Sequence, residues 1–363
     1  MGVEIALGAY ILPDDHSVFK FFPGKSYKFY DLVVTSNLAL IDVRGLDELS
    51  SDPGKWSDKE ILTRISVDRV ARQVARGGRR PTRLVNSVGD KQALTFIRGL
   101  FFRAEKGDLI LVPAKGYTSM VMVGELLDDP GILRTVDASD DKIVSKYYGR
   151  RVKWVARLEK RLFSSEVIKL LHSQAAFFDV GYSHYEEVYN LAFDNFVYDK
   201  QVVSTFRTSK RVFTSKDNLL TSLWFELIEV LQESQDQDAK LTIKSIYELA
   251  VESDISEDDR NDLAIHIQSP GWFRWRALTT EPLTAMALYS LAINAIPFEQ
   301  AKAATVSAKV IRNADKQCLG KVDESVRQYL EILGKDRWEQ ACKLAKKTEK
   351  EATLKTDATL KKS

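Results

Sequence analysis

A chain of 363 residues, 44% apolar and 29% charged, is long enough for two domains of ordinary size, each able to bury its own core. Its 53 Lys and Arg against 51 Asp and Glu leave a formal net charge of +2, so the overall balance announces no nucleic-acid partner. Cys318 and Cys342, late and far apart, exclude a disulfide framework and a CxxC metal site.

The start, Met-Gly-Val-Glu-Ile, has neither the basic nor the apolar segment of a secretory signal, and Ala6 stands where a myristoylation signal needs Ser or Thr. The longest mostly apolar run, Leu283 to Pro297, carries Thr284, Ser290 and Asn294 and is too short to span a bilayer, so it reads as a buried helix. A cytoplasmic protein with no membrane partner is expected.

In chain order, Leu32 to Val43 reads as two short strands turning at Ser36-Asn37. Ser57 to Ala75 reads as a helix whose wheel sets Val67, Val70 and Val74 on one side and Arg69, Arg72 and Arg76 on the other. Gly77-Gly78 stops it and Pro81 prevents its restart. A second helix is expected over Lys91 to Phe102. Leu109 to Pro113 and Met120 to Leu126 form a hairpin across Ala114-Lys115-Gly116, followed by an Asp-rich loop, Asp128 to Asp141, and a strand, Val152 to Leu158. Ser164 is placed to cap a helix reaching Leu171.

After about Val180 the character changes. Six aromatic residues between Tyr182 and Tyr198 lead into a strand, Val202 to Phe213, and a helix, Asn218 to Gln232. Lys240 to Tyr247 and Leu263 to Gln268 read as strands flanking an acidic turn. Ser269-Pro270-Gly271 breaks the chain, Trp272 to Ala277 continues extended, and helices are expected at about 282–312, 322–333 and 336–352. The Lys-, Ala- and Thr-rich end, Lys343 to Ser363, is expected to fray.

The search for a catalytic centre is mostly negative. GxGxxG, Walker and Gly-x-Ser-x-Gly patterns are missing, and His16, His172, His184 and His266 form no HxxH or HExxH pair. No cofactor, metal ligand or catalytic residue is assigned. Asp140-Asp141-Lys142 and Asp238-Ala239-Lys240 supply the Asp-x-Lys letters of a metal nuclease, but in polar turns rather than in an apolar strand.

Charge distribution says more than charge balance. Between Arg64 and Arg83 stand seven Arg and a single acid, Asp68, whereas Glu226 to Asp262 is strongly acidic. Guanidinium forks pair two phosphate oxygens at once, so Arg69, Arg72 and Arg76 on one helix face, extended by Arg79 and Arg80, suit a nucleic-acid backbone. A solvated face whose arginines pair with the acidic half or with another subunit is the alternative. Lys115, Tyr117, Arg151, Lys153 and Trp154 are the candidates to meet a base or a groove. Trp154 is equally suited to wall a base pocket or to close the core of a small barrel.

Residues 32 to 158 resemble, in order and letters, the N-terminal module of Mrr-type restriction proteins, a relative of the PUA-like barrels that include EVE and YTH readers. The residues that carry the resemblance are Leu38 to Val43, Ser57 to Arg83, Leu94 to Arg103, Gly107 to Pro113, Val123 to Leu126 and Arg151 to Val155. The family often has Gly-Trp where this chain has Asp42-Val43, and the Gln-x-Lys nuclease that follows the module in Mrr-type proteins is not recognisable after Val180. The resemblance implies a module that binds nucleic acid, reading a modified base, in a system that defends against foreign DNA.

The expected fold is therefore α+β: a PUA-like barrel with a helical insertion over 1–180, a mixed α/β domain ending in helices over 181–350, and a basic flexible tail over 351–363. The expected function is a non-catalytic nucleic-acid recognition subunit of a restriction or antiviral system, DNA ahead of RNA, acting with a protein effector or with further copies of itself. The alternatives are an assembly or inhibitory protein that docks a partner through 226–262 and 282–311, and a diverged metal-dependent nuclease.

Overall fold

The computed structural model describes residues 2–46, 49, 53–81, 83–116, 119–140, 143–173, 175–236, 262–266 and 271–362. They form an α+β fold with a curled half-barrel sheet and divide into two units, Asp15–Phe193 and Met1–Asp14 with Asp194–Ser363. In chain order the elements begin with β1 (Val3–Ile11), β2 (Val18–Phe21), α1 (Tyr30–Ser36), β3 (Leu38–Ile41), α2 (Asp58–Ala75) and α3 (Val88–Arg98), which runs into a π turn, Gly99–Arg103. Next come β4 (Leu109–Pro113), β5 (Met120–Leu126), β6 (Arg134–Asp140), β7 (Ile143–Glu159), α4 (Ser165–His172), β8 (Phe177–Asp179) and α5 (Tyr185–Ala192). The remainder is β9 (Phe196–Tyr198), β10 (Gln201–Thr208), α6 (Ser215–Asp236), β11 (Asp262–His266), β12 (Gly271–Ala277), α7 (Glu281–Ile293), α8 (Phe298–Lys302), β13 (Thr305–Val310), α9 (Gln317–Ala352), β14 (Leu354–Lys355) and β15 (Thr359–Lys362).

In the Asp15–Phe193 unit the sheet order is β3-β7-β5-β4-β2-β8, with β6 beside β7. The expected β4–β5 hairpin forms, with Leu109 opposite Glu125 and Pro113 opposite Val121. β7 runs for 17 residues, far beyond the seven-residue strand read in the sequence. Its first half pairs with β6 and β3 and its second with β5, and a bulge at Val123/Gly124 interrupts the β5 pairing. One core gathers Phe19, Phe21, Leu40, Ile110, Val112 and Tyr148 under Ile61 and Ile65 of α2 and Phe96 and Ile97 of α3. Leu109, Leu111, Val121 and Val123, which alternate away from it, are also fully buried, so the strands are covered on both faces. Fully buried Arg150 donates to the carbonyls of Leu100, Ala104 and Asp128, satisfying the orphan carbonyls that end the π turn.

Two readings of this unit are corrected. Leu32 to Val43 is a helix then a strand: Asn37, at φ 55°, ends α1 in the left-handed conformation that Asn tolerates. The expected Asp-rich loop contains β6, whose residues pair with β7 from Arg134 opposite Gly149 to Asp140 opposite Ile143. Acidic residues on a strand that pairs along only one edge hide it from a hydropathy pattern.

In the other unit the order is β11-β12-β10-β9-β1-β13, with β14 on β10 and β15 on β1. β1 runs parallel to both β13 and β9. α7 is buried from Glu281 through Ala292, as the apolar run from Leu283 requires, and packs against β1, β10 and β12 and against α6 and α9. α9 is two helices broken at Gly334, whose φ of 66° suits glycine, and so matches the two helices expected there. The helix expected over 282–312 stops at Ile293; α8 follows Pro297, and the alternating Thr305–Val310 joins β1 as β13. The C-terminal segment expected to fray pairs instead: Leu354 opposite Thr208, and Thr359 to Lys362 opposite Ala6 to Val3. The strand expected over Lys240 to Tyr247 lies outside the described residues.

Candidate nucleic-acid interface

α2 begins with a reciprocal cap, the Ser57 hydroxyl accepting from the Glu60 amide and the Glu60 carboxylate accepting from the Ser57 amide. Ile61 and Ile65 anchor it in the core. The same stripe continues three and four residues on to Asp68 and Arg72, so the expected wheel is turned. Val67 and Val74 are 40% and 43% exposed, whereas the Arg72 side chain is 19% exposed and faces the body of the unit. A hydropathy wheel does not count polar partners, and here they decide the orientation. Arg72 donates to both Asp68 and Asp42 carboxylates, the latter at 2.7 Å, and to the Asp42 carbonyl at 2.8 Å.

The pairing extends on both sides. Asp68 accepts from Arg44 at 2.7 Å, Arg44 donates to the Ser145 hydroxyl at 3.0 Å, and Asp42 also pairs with Lys28 at 2.9 Å. Alternating charges from Lys28 to Ser145 thus fasten α2 to the segments beside β3 and β7. Burial works against the Arg72 charge, but the Asp68 hydrogen bond and the Asp42 field outweigh it and hold its pKa above the ordinary guanidinium value. Arg69 serves a similar purpose at α3, donating to Asp90 at 3.0 Å and to the Val85 carbonyl at 2.8 Å. Asp90 in turn closes the α3 cap with Ser87 and accepts from Ser66. Burial would raise the Asp90 pKa, but these hydrogen bonds, from Ser87, Arg69 and Ser66, lower it.

Arg76, Arg79 and Arg80 are exposed at the end of α2 and in the turn beyond it, with Arg83 exposed four residues after Arg79. Exposed basic residues also mark the sheet: Lys115 on the β4–β5 turn, and Arg151 and Lys153 on β7. These do not converge. Lys160, at the end of β7, donates to the Ala114 carbonyl at 2.7 Å and holds the Lys115 turn there, whereas Arg151 lies near the start of the β5 pairing. At about 3.3 Å per residue the two ends are roughly 25 Å apart. Arg151 is also engaged: with Arg134 it flanks the fully buried Asp128 carboxylate, at 2.7 and 3.1 Å. Burial alone would raise the Asp128 pKa, but the Arg134 and Arg151 hydrogen bonds lower it to about 2. Tyr117 lies outside the described residues.

Trp154 is half-buried against the core. Its indole N–H donates to the Val34 carbonyl at 3.1 Å, and its ring packs on the core under α2 and α3. Gly124, opposite in register, leaves the space: a methyl there would meet Val152 and would come within 2.8 Å of the Trp154 ring. The indole donor is therefore spent on the fold.

The acids that tie these arginines, Asp42, Asp68, Asp90 and Asp128, escaped the sequence reading. One signal was available, because Asp68 stands four residues before Arg72, the spacing of a helical ion pair. Among the described residues no group of three His, Cys, Asp or Glu side chains is placed to hold a metal ion, and no helix is long and apolar enough to cross a membrane. No protein-family model matches the chain, and neither does a curated protein or a solved structure.

Proposed function

We propose that this chain is a nucleic-acid-binding protein whose Asp15–Phe193 unit holds phosphates through Arg76, Arg79, Arg80 and Arg83, in the restriction or antiviral setting that the Mrr-type resemblance of residues 32 to 158 implies. One observation carries the reading: Arg76, Arg79, Arg80 and Arg83, four arginines in eight residues, are exposed around the end of α2. That is more cation than a helix C-terminus needs for its dipole. The unit also carries 28 Lys and Arg against 23 Asp and Glu, an excess that the near-neutral whole chain conceals. A PUA-like barrel is the finer form of the fold proposed for this unit, and backbone binding rather than base reading is the mode, because the Trp154 indole donor is engaged by the Val34 carbonyl.

The experiment is binding of the full chain to short duplex DNA and RNA, with and without Arg76→Glu, Arg79→Glu and Arg80→Glu together. Loss of at least tenfold affinity with an unchanged unfolding midpoint is expected; unchanged affinity overturns the reading.

A second reading has its own observation. Val67, Val74, Leu84, Val85 and Val88 are exposed along α2 and up to the first turn of α3, an apolar set beside the arginines. A docked protein partner would cover them, and its co-purification would survive salt that strips phosphate contacts.

A further inference from the structure

β11, β12 and β10 form an antiparallel three-stranded face in the unit that does not contain α2. β12 alternates strictly: Phe273 and Trp275 enter the core, while Trp272, Arg274 and Arg276 point to the other face and stay partly exposed. Register arranges that face in rows. His266, Trp272 and Arg207 lie abreast, and Ala264, Arg274 and Thr205 form the next row. The His266 and Trp272 rings are stacked, with centroids 5.6 Å apart and planes 12° from parallel, and the Arg274 guanidinium stands 5.3 Å from the Trp272 ring centre. Arg207 is anchored by Asp194, and Arg274 donates to the Thr205 hydroxyl at 3.1 Å. Among the described residues the stack therefore ends outward at His266, an exposed ring on the outermost strand of the sheet.

We propose that this face binds single-stranded nucleic acid, with an unpaired base continuing the Trp272–His266 stack and its phosphates meeting Arg276, while Arg274, held by Thr205 and Asp194, supports the Trp272 ring. Aromatic rings in line with guanidinium groups match the alternating flat and anionic parts of a strand. Duplex bases offer no free face to such a stack, so the occupant is a strand whose bases are unstacked. This inference deepens the nucleic-acid reading above but stands on a different surface, so the two can fail separately.

The test uses the full chain and fluorescein-labelled oligo(dT) and oligo(U) of roughly 12 nucleotides, within the ordinary range of single-strand site sizes. His266→Ala is expected to weaken binding about 5- to 150-fold, the loss of one base stack, while leaving duplex binding and the unfolding midpoint unchanged. Arg276→Ala is expected to flatten the salt dependence by about one phosphate contact. Loss on both oligonucleotides, or on one alone, supports the proposal and identifies the strand chemistry. Unchanged affinity in both variants overturns it, and the unfolding midpoint of each variant separates lost binding from lost folding. Wild-type binding to duplex but to neither oligonucleotide overturns this inference alone; binding to nothing overturns the proposed function with it.

Discussion

Arg72→Met separates the two roles open to the arginines of α2. It keeps the aliphatic stem and removes a guanidinium that holds the Asp68 and Asp42 carboxylates and the Asp42 carbonyl. Breaking a buried ion pair costs about 3–5 kcal/mol when a charge is left alone. Here neither acid is left alone, because Asp68 keeps Arg44 and Asp42 keeps Lys28, and the network is partly solvated. About 2–3 kcal/mol is the expected loss. For a unit of this size that lowers the unfolding midpoint by about 4–12 °C, with a matching fall in the urea midpoint at unchanged slope. Arg79→Glu, on the exposed turn, should change stability by less than about 0.5 kcal/mol. If Arg72→Met stays within about 0.5 kcal/mol of wild type and yet weakens nucleic-acid binding, Arg72 is a phosphate ligand and its structural role is refuted. Arg72→Glu is a poor probe, since it adds a third carboxylate to Asp42 and Asp68 and any lost binding would report on folding.

Gly124→Ala should destabilise the Asp15–Phe193 unit by about 1–3 kcal/mol, because its methyl must push Val152 and Trp154 from their places; calorimetry that finds no change contradicts the close approach. The Asp128 carboxyl is lowered to about 2 in the folded chain against an ordinary value of 3.8, so its stabilisation is complete above about pH 5 and is lost as the pH falls through the folded value. The pairing amounts to about 2 kcal/mol, and Asp128→Asn should remove that part of the acid slope between about pH 5 and 2, as urea titrations at each pH would show. Deleting the last five residues removes β15 and should lower the unfolding midpoint of the β1 unit, since Thr359 to Lys362 pair along β1; an unchanged midpoint would mean the segment contributes nothing.

Local chemistry made part of the fold legible. Pro113 to Gly116 between two apolar runs gives the β4–β5 hairpin, Ser57 with Glu60 opens α2, and Gly334 divides α9, each through interactions within a few residues. What sequence hid depends on distant partners. Asp42 lies thirty positions from Arg72, and their pairing brings Arg72 to the inward side of α2 beside Ile61 and Ile65, with Val70 also buried. β13 and β15 are short and partly polar and become strands only because β1 is there to receive them. The candidate site divides in the same way: Arg76, Arg79, Arg80, Lys115 and Lys153 sit in exposed positions, but which arginines are bound by acids could not be read from spacing alone, Asp68–Arg72 excepted. The β12 alternation of Trp272, Arg274 and Arg276 was visible in the letters, yet its meaning waited on His266 arriving beside it.

The most direct measurement is the salt dependence of duplex binding by the full chain and by the Arg76→Glu, Arg79→Glu, Arg80→Glu variant. If these arginines hold phosphates, the logarithm of affinity falls linearly with the logarithm of salt, and the variant's slope is shallower by about 3. Binding that is absent, or that keeps the same slope in the variant, contradicts a nucleic-acid interface at the end of α2.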